Sequence, residues 1–341
     1  MSLLRALTGA VRSARPAPEP TAECVPDDDV LLDAPDERLA PALVAAAYAD
    51  PEPAAKLLAT TRDAREWEDR DRYVTRLATF AHRRDGWLTH WLTAAPRDPD
   101  ALLVTAQLAV RRAWESPARA ERLRELDPLV RAVAEAAPQD PVPWRLALDH
   151  ARGAHVGHTV FESLWEQAVR RSPHHYGSHV AALKYLSAQW YGSHRAAFDF
   201  AEQAADDAAP RSLVRALPVR AAYDRLRVPP RDGTVPEERI DRAVDRGRAL
   251  SQSFAVGDPW PAEVRNLLAH VLMERARWEE AREEFGRIGA HATSFPWGAG
   301  GVDPLRGFLA ARDRTRREPA RRGLWWGAGR GRAGRGGPGG H

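Results

Sequence analysis

The sequence predicts an all-α fold of stacked antiparallel helix pairs, and three observations predict it. Apolar residues recur at helical spacing along almost the whole chain, with no alternating strand pattern and no Asn-Gly hairpin turn. Asp-Pro pairs punctuate these runs at 50–51, 98–99, 127–128, 140–141, 258–259 and 303–304. Ala94-Ala95-Pro96-Arg97-Asp98-Pro99 and Ala136-Ala137-Pro138-Gln139-Asp140-Pro141 are near copies, and Arg171-Ser172-Pro173-His174-His175 is a looser third. The pairing has a physical cause. An Asp carboxylate accepts from a free N–H of the first helical turn, and Pro has no N–H to leave unsatisfied there.

Taken in order, the chain opens with Leu3, Leu4, Leu7 and Val11 at helical spacing beside Arg5, Arg12 and Arg15, a weak interfacial helix or a frayed end. Pro16 to Asp29 is Pro-rich and acidic and reads as a linker, so residues 1–35 are expected to be flexible. Asp36 to Tyr48 supplies Leu39, Leu43, Val44 and Ala47 for a first helix, and Asp50-Pro51 opens a second with Leu57 and Leu58. Arg62 to His82 predicts one long helix carrying Trp67, Tyr73, Leu77 and Phe80. Gly86 to Ala94 follows, with Trp87 and Trp91 one turn apart. Helices are then expected over Pro99–Glu115 and Pro117–Ala136, the latter with a kink at Asp127-Pro128. Pro141–Arg152, Val156–Arg171, His174–Tyr191, Ser193–Ala208 and Arg211–Leu226 continue the series.

Pro229-Pro230-Arg231-Asp232-Gly233 is the strongest internal break. It divides a helical-repeat domain, 36–228, from a C-terminal helical region, 236–317, with a tail at 318–341. Beyond the break, Asn266-Leu267-Leu268-Ala269-His270-Val271-Leu272 is followed by Ala276-Arg277-Trp278-Glu279-Glu280-Ala281 and Phe285. This spacing resembles a tetratricopeptide repeat, with small Ala269 and Ala281 where two helices approach and Phe285 between repeats. It departs from that family at Ala276, where Gly often turns the chain, and at Arg265, where an aromatic is common. The Pro marks at 96, 138 and 173 are compatible with repeats of ~34 residues carrying insertions. Asp63 to Leu226 also resembles an uncharacterised domain of actinobacterial helical-repeat proteins. That likeness rests on Arg83 to Pro96 with its Trp pair, Asp140-Pro141-Val142-Pro143-Trp144, Phe161-Glu162-Ser163-Leu164-Trp165 and Trp190-Tyr191-Gly192-Ser193-His194. It implies a tetratricopeptide-like solenoid and brings no activity.

Composition narrows the function classes. The sequence pI is near 9.3, but its source is local: Arg321, Arg322, Arg330, Arg332 and Arg335 follow the last acid, Glu318. The remainder holds 45 basic against 47 acidic residues, so the body is close to neutral. Lys56 and Lys184 are the only lysines, and with abundant Ala, Pro and Gly this resembles GC-rich bacterial coding rather than polyanion recognition. Cys24 stands alone, which excludes an intrachain disulfide or a cysteine zinc finger and fits the cytoplasm. No apolar run approaches the ~20 residues that span a bilayer. Gly-x-Ser-x-Gly, Gly-Lys-Ser/Thr and paired-Cys motifs are absent, so no catalytic residue and no cofactor is assigned.

Three functional readings stay open. The first is a scaffold or adaptor whose helical face binds a protein or peptide, with Tyr176, His179, Tyr191 and His194 near the junctions as contacts. The second is nucleic-acid association through the Gly-rich tail, expected to be disordered, using Arg322, Arg330, Arg332 and Arg335 beside Trp325-Trp326. The third is a metal site. Seven of the twelve histidines lie between His150 and His194, and His175 and His179 share a helical face. His174 and His194 could join them, with Glu162, Glu166 or Asp199 completing the shell.

Overall fold

In a computed structural model, which describes residues 25–228 and 235–327, the chain is almost entirely helical. Its first helices are α1 (Leu39–Ala47), α2 (Glu52–Asp63), α3 (Trp67–Ala81), α4 (Gly86–Ala94) and α5 (Pro99–Glu115). Then come α6 (Arg119–Glu125), α7 (Asp127–Ala136), α8 (Pro141–Ala154), α9 (His158–Arg171) and α10 (Tyr176–Tyr185). The series continues with α11 (His194–Asp207), α12 (Leu217–Arg227), α13 (Glu237–Gln252), α14 (Ala262–Glu274) and α15 (Trp278–Ile288). A single turn, α16 (Ser294–Trp297), precedes α17 (Pro304–Gly327). Sequence neighbours pack together, as in α1 with α2, α8 with α9, α11 with α12 and α14 with α15. Between these pairs α8 packs on α10, α10 on α12 and α12 on α14.

The repeated junctions act as the sequence suggests, and they are tied together. Asp98 Oδ1 accepts from the amides of Asp100 and Ala101 at 2.8 and 3.1 Å, and Asp140 Oδ1 from Val142 at 2.9 Å. Arg70 of α3, fully buried, bridges the two helix starts: Nη2 donates to Asp100 and Nε to Asp140, both at 2.6 Å. Its third contact is the Leu58 carbonyl at 2.8 Å. One guanidinium thus fixes the relative position of α2, α3, α5 and α8. The pair at 258–259 behaves differently. Asp258 accepts from Trp260 in a turn, and α14 begins only at Ala262.

Several expectations need correction. The long helix over 62–82 is two helices, because Arg65 takes a left-handed backbone (φ 56°) between α2 and α3. The helix expected over 117–136 breaks at Leu126 into α6 and α7. The one expected over 174–191 ends at Tyr185, and the chain then turns back so that the Tyr191 amide donates to the Tyr185 carbonyl. Residues 25–35, read as part of a flexible segment, are held in place. Val30 is buried with Ala269, Phe285, Ile288, Trp297 and Phe308. Leu31–Leu32 (β1) pairs in parallel with His291–Ala292 (β2), and Asp27 pairs with Arg312 of α17. The expected boundary at 229–233 lies outside the described residues, yet the core runs across it. Leu183, Phe198 and Leu217 share one cluster with Ile240, Val244, Leu268 and Ala281. The two regions are therefore not separate cores. Finally, α17 carries helical backbone past position 318, where the tail was expected to begin. The N-terminal helical pattern and Arg330, Arg332 and Arg335 lie outside the described residues.

In the pair α14–α15, Leu268, Ala269 and Ala281 are fully buried and Phe285 nearly so. Ala276 sits at φ 55°, a conformation that Gly adopts without cost. Arg265, fully buried, donates to the carbonyls of Ser251, Phe254, Ala255 and Arg287 at 2.9 to 3.1 Å. The guanidinium thereby gathers carbonyls at the end of α13, in the turn that follows it and near the end of α15.

Candidate functional site

The four residues expected to meet a partner fall in different environments. His179 is buried against Trp165 and Phe200, with ring centroids 5.1 and 6.0 Å away. Its Nδ1–H donates to the His175 carbonyl at 3.0 Å, and burial pushes the imidazole down to about 4, so it is neutral at physiological pH. His194 is also buried, and its Nε2–H donates to the Val228 carbonyl at 3.0 Å. Both pack the interior and neither presents a contact surface.

The metal reading fails on the same geometry. His175 Nδ1 lies 2.9 Å from Ser178 Oγ, and its other nitrogen faces Asp71 at 3.5 Å. Among the described residues no three His, Cys, Asp or Glu side chains are grouped to hold an ion. His174, His175, His179 and His194 are therefore not gathered with Glu162, Glu166 or Asp199. These histidines are close in sequence, but the imidazoles of His175, His179 and His194 are each committed to a neighbouring backbone or side-chain group.

Tyr191 is the exposed one, with 44% of its surface open to solvent. It stands on a stack of rings: Tyr191 on Tyr185 at 4.6 Å, and Tyr185 on Phe161 at 3.6 Å. Its hydroxyl is hydrogen-bonded to His155 Nδ1 at 2.5 Å. His155 reaches it because α8 ends with that residue in the left-handed conformation (φ 60°). Next to the stack, Trp190 meets Trp114 edge to face at 5.5 Å, and Arg152 lies 4.4 and 4.7 Å from the two rings. Arg119 approaches the same pair at 5.0 and 5.5 Å. The turn that presents Trp190 and Tyr191 is locked by Gly192, where a Cβ would collide with the Leu186 carbonyl. The result is a preorganised surface of Tyr, Trp and Arg, the residue types that dominate binding hot spots.

Tyr176, in contrast, faces inward, among charged side chains from four other helices. Its amide donates to Glu68 Oε1 at 2.7 Å, and its hydroxyl donates to Glu263 Oε1 at 3.3 Å. Burial pushes that hydroxyl up to about 12, keeping it protonated. Asp71 lies against Gly177, where a Cβ would strike its carboxylate, so α3 places two acids at the first turn of α10, where the helix dipole favours them. From Asp71 the network runs through Arg145 to Asp149 at 3.5 Å and on to Arg152 at 3.1 Å. On the other side Arg220 pairs with Glu263. Arg72 stacks on Trp260 at 4.3 Å and donates to its carbonyl at 2.9 Å, which ties α3 to the segment before α14. Burial pushes the carboxyls of Glu68 and Asp224 up, against the pull of nearby cations.

No family model, curated protein or solved structure matches the chain. The geometry alone therefore carries the functional reading. Sequence reasoning found Tyr176 and Tyr191 but missed Trp114, Arg119 and Arg152, which join the surface cluster from α5, α6 and α8. It also missed the inward charges on α3, α8, α12 and α14. One signal for them was present: Arg145, Asp149 and Arg152 on α8, and Arg220 and Asp224 on α12, recur at i, i+4 and i+7.

Proposed function

We propose that this is a non-enzymatic scaffold or adaptor of the cytoplasm, a tetratricopeptide-like solenoid that binds a protein or peptide partner at its Trp190–Tyr191 edge. The observation that carries the reading is an exposed Tyr191 held rigid by Tyr185, Phe161 and His155 beside the Trp114–Arg152–Trp190 stack. Rings fixed before binding lose little conformational freedom when a partner arrives. Half-buried Arg119, lying against the same rings, also offers a planar donor to backbone carbonyls or carboxylates. The helical order supports a stack of pairs, with α8, α10, α12 and α14 packed in succession.

The test places a photo-crosslinking amino acid at position 191 and, separately, at Tyr48, which is 84% exposed just past the end of α1. A discrete protein adduct from position 191, missing from position 48 and lost in Trp190→Ala, supports the reading. Truncating a true hot-spot aromatic costs about 2 kcal/mol or more of binding, so Tyr191→Ala weakens capture at least ~30-fold. Identical adducts from both positions overturn it. Capture that needs the residues after Ala320 and vanishes with nuclease would favour nucleic-acid association through Arg322, Arg330, Arg332 and Arg335 instead.

A further inference from the structure

Two guanidinium groups lie against the rings of Trp114 and Trp190, and they are engaged differently. Arg152 of α8 is buried, and its Nη2 donates to Asp149 at 3.1 Å, so its charge is matched within the fold. Arg119 is half-buried, 5.0 and 5.5 Å from the same two rings. Among the described residues it makes neither a hydrogen bond nor an ion pair. Its place on the chain deepens the contrast: Arg119 is the first residue of α6, the end of a helix at which the dipole disfavours a cation. No acid stands among the side chains of the edge, Trp114, Arg119, Arg152, His155, Trp190 and Tyr191. Tyr191 gives one ring face to Tyr185, 28° from parallel at 4.6 Å, and keeps 44% of its surface open. Trp190 links the two features, 5.5 Å from the Arg119 guanidinium and 6.3 Å from the Tyr191 ring.

A guanidinium lying on aromatic rings still presents its planar fork of N–H donors, and that fork matches a carboxylate in two parallel hydrogen bonds. We propose that the partner of this edge is an acidic, proline-rich protein segment, with an Asp or Glu side chain forked on Arg119 and a nearby proline on the open ring of Tyr191. The inference rests on the reading of the Trp190–Tyr191 edge as a partner surface, and it names what that surface selects. Proline suits the exposed ring because proline-rich segments are already extended and dock on aromatic surfaces with little conformational freedom to lose. At ~3.1 Å per residue, about four extended residues reach from Arg119 across Trp190 to Tyr191. A nucleic-acid strand is a poorer match, because it needs a row of cations along its phosphates and the edge offers a single unpaired guanidinium.

The test titrates the full chain into two end-blocked, fluorescently labelled peptides, Pro-Pro-Glu-Pro-Pro and Pro-Pro-Gln-Pro-Pro, followed by anisotropy. The glutamate peptide should bind about tenfold or more tightly than its glutamine counterpart, the difference expected for a charge-assisted pair. Arg119→Met should remove that difference while leaving the weaker glutamine peptide unchanged, and this non-additivity separates recognition from a general loss of packing. Tyr191→Ala should weaken both peptides alike. The inference is overturned if neither peptide binds, if the two bind equally, or if Arg119→Met weakens both to the same extent. It is also overturned if the glutamine peptide with a free C-terminal carboxylate matches the glutamate peptide, or if a single-stranded oligonucleotide binds this edge more tightly than either. Should Arg119→Met fail to fold, Arg119→Lys, which keeps the charge and loses the fork, takes its place and should narrow the difference. A cross-link from position 191 to a partner segment with neither acid nor proline would leave the edge a binding surface and overturn its selectivity alone.

Discussion

At the scale of single residues, two buried charges govern stability in opposite ways. Arg70 holds Asp100 and Asp140 together with no exposure of its own. Arg70→Met strands both carboxylates, and the expected loss is about 3–5 kcal/mol by denaturant unfolding. Replacing the whole cluster with apolar residues would cost far less, since a stranded charge rather than the lost pair carries the penalty. Glu284 acts through the proton. Burial pushes its carboxyl up to about 7, while Ser251 Oγ donates to it at 2.6 Å and Arg265, Arg287 and Arg248 pull the other way. The folded chain therefore binds this proton more tightly than the unfolded one. The resulting stability is complete below about pH 4.5 and is lost as pH rises through about 7, an effect of order 3 kcal/mol. Measured as the difference between the unmodified protein and Glu284→Gln, stability should fall across that window. A flat difference would refute the assignment. His179 works in the reverse sense: its contribution is present above pH ~6.5 and fades as pH falls through about 4, so the two must be separated by such differences.

Among the elements, the turn between α14 and α15 and the end of α10 carry the clearest expectations. Ala276 at φ 55° carries strain of about 1 kcal/mol that Gly would release, partly offset by the freer unfolded chain. Ala276→Gly should leave the melting temperature unchanged or raise it slightly, whereas Ala276→Val should lower it. Gly192→Ala is a different case, because the added methyl meets the Leu186 carbonyl. Overpacking of this kind costs about 1–3 kcal/mol and should displace Trp190 from Trp114, seen as a change in tryptophan fluorescence. These two sites also mark how far the sequence could be read. Helix starts were legible where Asp-Pro capped the first turn, as at Asp98 and Asp140, but not at Asp258, where the pair forms a turn ahead of α14. Helix ends were not: α2 stops for a left-handed Arg65 and α10 for a backbone approach at Gly192, and neither has a side-chain signature. Tyr191 was legible as an exposed junction aromatic, but its supporting Trp114 and Arg152 are brought in by tertiary packing alone. The same limit hid β1, since two residues are too few to show alternation.

For the molecule as a whole, the shared core sets the unit of folding. Leu183, Phe198 and Leu217 lean on Ile240, Val244 and Leu268, so a fragment ending at Val228 exposes an apolar face rather than a finished surface. Such a fragment should melt without a sharp transition, while the full chain unfolds in one step seen alike by circular dichroism and fluorescence. Two separate transitions in the full chain would show independent halves. The first described segment, meanwhile, is joined to the last: β1 pairs with β2, Asp33 receives the Ser294 amide at 3.0 Å, and Asp27 holds Arg312. Open helical arrays grow or shrink by whole units, because each unit answers only to its neighbours. Here the clasp removes that freedom. Duplicating or deleting one helix pair between Asp33 and Ser294 would pull those partners apart, so the clasp ties the number of helix pairs it encloses to the pairing of its two ends.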